Sequence, residues 1–234
     1  MAPNLAGRSC PLVAIPATPP GTRRSAVAHV QRAAEPTARR ITDHDSVVLR
    51  NPITLQRVID DLIAHNGEWA QDFAYGDLPT APARHLAVVV CMDSRIDVFA
   101  ALGLDLGEAH IIRNAGGIVT DDVIRSLVIS QRFLNTTGIV VIQHTRCGMQ
   151  TFSDDQLADA LDEETGQRPT WKIGSFKDLD QSVKSSVRTI RHSPFIPHRD
   201  QVWGFVYDVE TGKLRRIIGP DDQDQPLRAA SAGE

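Results

Sequence analysis

From Thr54 onward the chain sorts its apolar residues into regular patterns. TLQRVIDDLIAHNGEWAQDFA spaces them at three and four, which predicts a helix or two packing on the body of the protein. The short apolar run HLAVVV (85–90) then reads as an interior strand, followed by a helix in RIDVFAALG (95–103). The alternation continues through strand AHIIR (109–113), helix DDVIRSLVISQRFLN (121–135), strand GIVVIQ (138–143) and helix SDDQLADALDEE (153–164). A further helix is predicted over DLDQSVKSSVRTIRH (178–192). QVWGFVYDVETGKLRRIIG (201–219) reads as a closing hairpin or edge-strand pair, with DVETGK supplying the turn. Strands that alternate with helices need right-handed crossovers. The expected class is therefore α/β, a mainly parallel sheet flanked by helices with an antiparallel C-terminal hairpin.

Composition narrows the partners. The 234 residues carry a net charge of −4, with 41% hydrophobic and 23% charged positions, so no basic excess is present to hold a phosphate backbone. No apolar run approaches the length of a membrane span. Neither nucleic acid nor a membrane is expected as a partner. Residues 1–40 are different in kind: six arginines, one acid and six prolines leave that segment basic and unable to build a core. The expected organisation is a disordered basic extension over 1–45, one catalytic domain over 46–220 and a flexible tail over 221–234. Three cysteines, at 10, 91 and 147, are too few for a disulfide framework and point to a reduced, cytoplasmic protein.

In a parallel sheet the residues after each strand gather along one edge. Cys91, Asp93 and Arg95 follow the first strand, Asn114, Ala115, Gly116 and Gly117 the second, and His144 and Cys147 the third. Taken singly, Cys91 reads as a buried small hydrophobe and Asp93 with Arg95 as a solvated pair. Taken jointly, two thiols and an imidazole offer zinc the ligand types it prefers, with an Asp93 oxygen available at the fourth corner. No CxxC is present to support a thioredoxin-type redox role. NAGG lacks both the GxGxxG spacing and the lysine of a phosphate loop. Its glycines are expected to let the backbone approach a substrate at the metal, making Gly116 and Gly117 candidate substrate-binding positions.

CMDSR, RNAGG and HTRCG together resemble the beta-carbonic anhydrase family, whose core is marked by C-x-D-x-R and H-x-x-C; the likeness runs from about residue 55 to 217 and points to a compact bacterial subclass. The resemblance implies that Cys91, His144 and Cys147 hold Zn2+, that Asp93 and Arg95 form a dyad beside the fourth position, and that zinc-bound hydroxide hydrates carbon dioxide reversibly to bicarbonate and a proton. It also implies a homodimer, or a dimer of dimers, in which the partner completes the cleft. Two alternatives use the same ligands: hydrolysis of CS2 or COS, and a non-catalytic zinc protein in which Asp93 closes the site. The chain departs from the family at Arg146, which adds a positive charge near the metal. No glutamine matches the one that holds bicarbonate in many members, although Gln143 and Gln150 lie near the motif.

Overall fold

The computed structural model describes residues 54–222. The expected extension over 1–45 and nearly all of the expected tail lie outside them. Helix α1, Leu55–Gln71, forms where the three-and-four spacing predicts it. It does not pack on the body of its own chain as expected: none of its residues is buried, and Leu55, Val58, Ile59, Leu62 and Ile63 stand 39 to 77% exposed.

Strand β1, Leu86–Cys91, leads through α2, Val98–Leu102, to β2, Ala109–Asn114; α3, Asp121–Leu134, then leads to β3, Gly138–His144. After α4, Asp154–Thr165, and α5, Leu179–His192, the chain closes with β4, Val202–Tyr207, and β5, Leu214–Ile218. The strands lie in the order β2-β1-β3-β4-β5, parallel except for β5, which runs antiparallel to β4. This is the expected α/β architecture with its antiparallel edge.

The central strands are buried on both sides, and alternation divides their side chains between two cores. Ala87, Val89, Ile139 and Val141 face α3 and α5, meeting Val123, Leu127, Val187 and Ile190. Val88, Val90, Cys91 and Ile142 face the opposite way, with Ile96, Val98, Cys147 and Met149. Capping fixes the ends of the flanking helices: Thr120 accepts from the Val123 N–H at the start of α3, and Ser153 forms a reciprocal capping box with Gln156 at the start of α4. Pairing carries each strand one residue beyond its predicted end. Cys91, Asn114 and His144 are the last residues of their strands, and Cys91 stands opposite Asn114. The three strand ends therefore open on one edge of the sheet.

Candidate metal centre

Cys91 closes β1, His144 closes adjacent β3, and Cys147 lies on the turn that follows. The turn is made by Arg146, whose φ of 56° lies in the left-handed region and reverses the chain. All three side chains are buried, and their sulfur and nitrogen atoms lie within 4.8 Å of one another; among the described residues no other His, Cys, Asp or Glu group is gathered in this way. His144 Nδ1 donates to the Thr145 carbonyl at 2.8 Å, which places the lone pair on Nε2. Nε2 is fully buried and has no hydrogen-bond partner. Thr145 is itself fixed, since its N–H donates to the Tyr207 carbonyl and its Oγ1 accepts from the Val209 N–H.

The donor set fits a zinc ion. An imidazole lone pair faces two sulfurs in a pocket without a competing hydrogen donor for Nε2, and two thiolates with one imidazole make a tetrahedral site lacking one ligand. The two sulfurs share a hydrogen bond. Hydrogen bonding from Cys147, with help from the N–H groups of Asp93 and Gly116, holds the Cys91 thiol down against burial. Cys147 is correspondingly pushed up, because Cys91 takes its hydrogen bond and burial disfavours a second thiolate.

Asp93 lies beside this trio, outside it. Arg95 holds its carboxylate through a fork, Nε to Oδ1 at 2.9 Å and Nη2 to Oδ2 at 2.7 Å, and the Arg95 N–H adds a bond to Oδ1 at 3.0 Å. The guanidinium keeps the carboxyl well below the usual carboxylate range. Oδ2 is still only 3.6 Å from His144 Nε2. Asp93 is thus paired with Arg95 and lies close to the imidazole. Arg95 also donates to the Arg146 carbonyl at 3.1 Å, which joins the turn after β1 to the turn after β3.

The family model for carbonic anhydrase matches residues 86–172. Beta-carbonic anhydrase 1 of Mycobacterium tuberculosis is 51% identical over 160 residues, spanning 68% of this chain and 98% of that protein. This chain belongs to the beta-carbonic anhydrase family. A crystal structure of carbonic anhydrase from Streptococcus mutans is similar at 42% identity and a TM-score of 0.65, covering 68% of this chain and 97% of that one. A carbon disulfide hydrolase from Acidithiobacillus thiooxidans is 34% identical over 187 residues, covering 69% of this chain and 85% of that protein.

The glycine turn packs closely against the rest of the chain. Gly117, at φ 60°, is packed against the chain's own backbone: a Cβ there would stand 2.6 Å from the Ile142 oxygen and 2.8 Å from the Cys91 nitrogen. Gly116, at φ 81°, is enclosed by Met149 and Phe176, and its N–H serves Cys91. The two glycines thus seat the turn against β1 and β3. Gln143 points to the other face of the sheet, donating to the Gly117 carbonyl and Ser186 Oγ, while Gln150 donates to the Lys177 carbonyl. The Arg146 guanidinium is exposed and pairs with Glu210 at 3.0 Å.

Arg113 escaped the sequence reading. Its guanidinium donates from Nε to the Cys91 carbonyl at 3.0 Å and from Nη2 to the Asp93 carbonyl at 2.7 Å. Its signal was its place at the head of the RNAGG motif, where the sequence reading gave a role to the glycines and none to the arginine.

Proposed function

We propose that the chain catalyses the reversible hydration of carbon dioxide to bicarbonate and a proton, with zinc held by Cys91, His144 and Cys147. The observation that carries this reading is the unpartnered Nε2 of His144, facing two sulfurs with the Asp93–Arg95 pair at their side. Zinc in that position supplies Lewis acidity, which brings the ionisation of a water within reach of neutral pH. Asp93 accepts a hydrogen bond from the attacking water and orients it. Arg95 keeps the carboxylate ionised and turned aside, leaving the fourth position open.

The test is stopped-flow hydration of CO2 by the purified protein, before and after removal of metal with a chelator. Turnover that disappears on chelation and returns with zinc is expected; a protein that binds zinc and leaves CO2 hydration at its uncatalysed rate would refute the assignment. Release of sulfide from CS2, measured in parallel, tests the activity named for the Acidithiobacillus thiooxidans relative. Both substrates are linear triatomics, so the metal ligands alone do not choose between them.

The working unit proposed is a homodimer. The apolar stripe of α1 continues into Trp69, Phe73 and Tyr75, which pack their rings together at 5.7 to 6.3 Å between centroids. Eight such side chains, about half uncovered, offer on the order of 700 Å², close to the ~800 Å² per partner of a stable interface. A complementary apolar groove of about 540 Å³ lies beside the edge strand β2, lined by Phe99, Leu106, Ile111, Ile129 and Leu134 among others. The catalytic domain proposed is 46–220, and the proposed location is the cytoplasm, where a reducing compartment keeps thiols free. Among the described residues no helix is long and apolar enough to cross a membrane.

A further inference from the structure

Main-chain pairing runs out just where the chemistry begins. β1 pairs with β3 no further than Val90 opposite Ile142, and with β2 no further than Cys91 opposite Asn114. Beyond that point the Met92 N–H donates to the Asn114 carbonyl at 2.8 Å. β2 then leaves the sheet through the turn Ala115–Gly117, closed by the Asn114 side chain, which donates to the Ile118 carbonyl and accepts from the Ile118 N–H. The carbonyls of Cys91 and Asp93 consequently face a strand that is no longer there to meet them.

Arg113 fills that place. Nε and Nη2 of one guanidinium reach the two carbonyls, at 3.0 and 2.7 Å, and span the residue between them. A planar fork with fixed separation can do this, whereas an ammonium is a single point of charge. The Asp93 carbonyl also accepts from the Ile96 N–H at 3.1 Å, so the same residue is held from both sides of the turn. Opposite, Arg95 ties the turn to the Arg146 carbonyl. The Asp93 carboxylate is thus placed by two arginines: Arg95 grips the side chain, Arg113 the backbone.

We propose that Arg113 is a positioning residue for the hydration reaction, continuing the β2 ladder as a side chain so that Asp93 is held at a fixed distance from the metal ligands. The proposal rests on the CO2-hydration reading above. It differs from a merely stabilising surface contact in what the fork fixes, namely the one carboxylate beside the open coordination position.

Arg113→Ala and Arg113→Lys are compared with the wild type in three measurements: CO2 hydration per bound zinc, melting temperature, and amide hydrogen exchange in both zinc-loaded and metal-free protein. Exchange reads the placement directly, because the N–H groups of Arg95 and Ile96 are bonded to the carboxylate and carbonyl of Asp93. The expected result is a fall in turnover per zinc of about 10- to 100-fold in both variants, the range seen when partners behind a metal ligand are removed. Faster exchange at Arg95 and Ile96 should accompany it, and millimolar guanidinium ion should restore part of the Arg113→Ala turnover. Wild-type turnover and exchange in Arg113→Lys would overturn the proposal, as would a lowered melting temperature with turnover per zinc unchanged in either variant. If Arg113→Ala does not fold, the lysine variant carries the same test. If the wild type does not hydrate CO2, the functional reading fails by itself, and exchange at Arg95 and Ile96 alone decides the role of Arg113: faster in the variants supports it, unchanged overturns it.

Discussion

Gly117 and Gly103 form a natural pair for separating backbone strain from steric exclusion. Their φ angles are nearly the same, 60° and 62°, but an added Cβ at Gly103 meets nothing within 4 Å. At Gly117 it meets the Ile142 oxygen at 2.6 Å, the Cys91 nitrogen at 2.8 Å and the Val90 carbonyl carbon at 3.1 Å. These are backbone atoms of the two central strands, which no change of rotamer can move aside. Alanine at either position bears the left-handed penalty of roughly 1–2 kcal/mol, reduced by ~0.4–1 kcal/mol through the less flexible unfolded chain. Gly103→Ala should therefore cost about 1 kcal/mol. Gly117→Ala must also push β1 and β3 away from the turn, an overpacking cost of about 1–3 kcal/mol, giving ~2–4 kcal/mol in total. Urea denaturation in excess chelator measures both without a contribution from bound metal. The difference should appear as a melting point ~2–12 °C lower for Gly117→Ala than for Gly103→Ala. Losses agreeing within ~0.5 kcal/mol would refute the claim that the turn is seated on the strands.

Other outcomes follow from the same geometry. Cys147→Ser should lose most of its zinc, read by metal analysis after dialysis, and full occupancy would remove Cys147 from the ligand set. Asp154 accepts from the Ser175 hydroxyl and from the N–H groups of Ser175 and Gly174, which hold its carboxyl below the ordinary 3.8. A depressed folded value means that its contribution is present above 3.8 and lost as pH falls through that folded value. Asp154→Asn should accordingly be less stable than wild type in chelator at pH 6, with the gap narrowing towards pH 2; a constant gap would count against the assignment. Ile63→Glu, on the exposed stripe of α1, should shift the protein towards monomer in light scattering while circular dichroism stays unchanged. An unaltered dimer would move the interface elsewhere.

The strands and the Cys91–His144–Cys147 cluster were legible because each rests on a local pattern. Apolar runs announced β1 and β3, and the spacing of His144 and Cys147 placed both on one turn. The strand ends came out one residue short because Cys91, Asn114 and His144 break the apolar pattern while their backbones still pair. The glycines were legible as positions requiring no side chain. What occupies that space, strand backbone in the case of Gly117, depends on residues such as Ile142 that only the fold brings near. Arg113 stood in the RNAGG motif, but its task was illegible for a related reason: its partners are main-chain carbonyls, which every residue possesses and no sequence pattern marks. The periodicity of α1 specified a helix and an apolar face, with nothing to say that the face would stay open in its own chain.

The ligands Cys91 and His144 stand at the ends of neighbouring parallel strands, roughly fifty residues apart in the chain, with β2 and α3 folded between them. Parallel neighbours of that separation come together only after a crossover has formed, which makes their pairing a late and non-local event in folding. Of the three donors, His144 and Cys147 are close in sequence, and they would supply only half of a tetrahedral set. An ion held by all three would therefore be captured after the β1–β3 pair has assembled, too late to act as a nucleus. In kinetic terms zinc should leave the refolding rate almost unchanged and slow unfolding, so that metal loading lengthens the lifetime of the native state without hastening its formation.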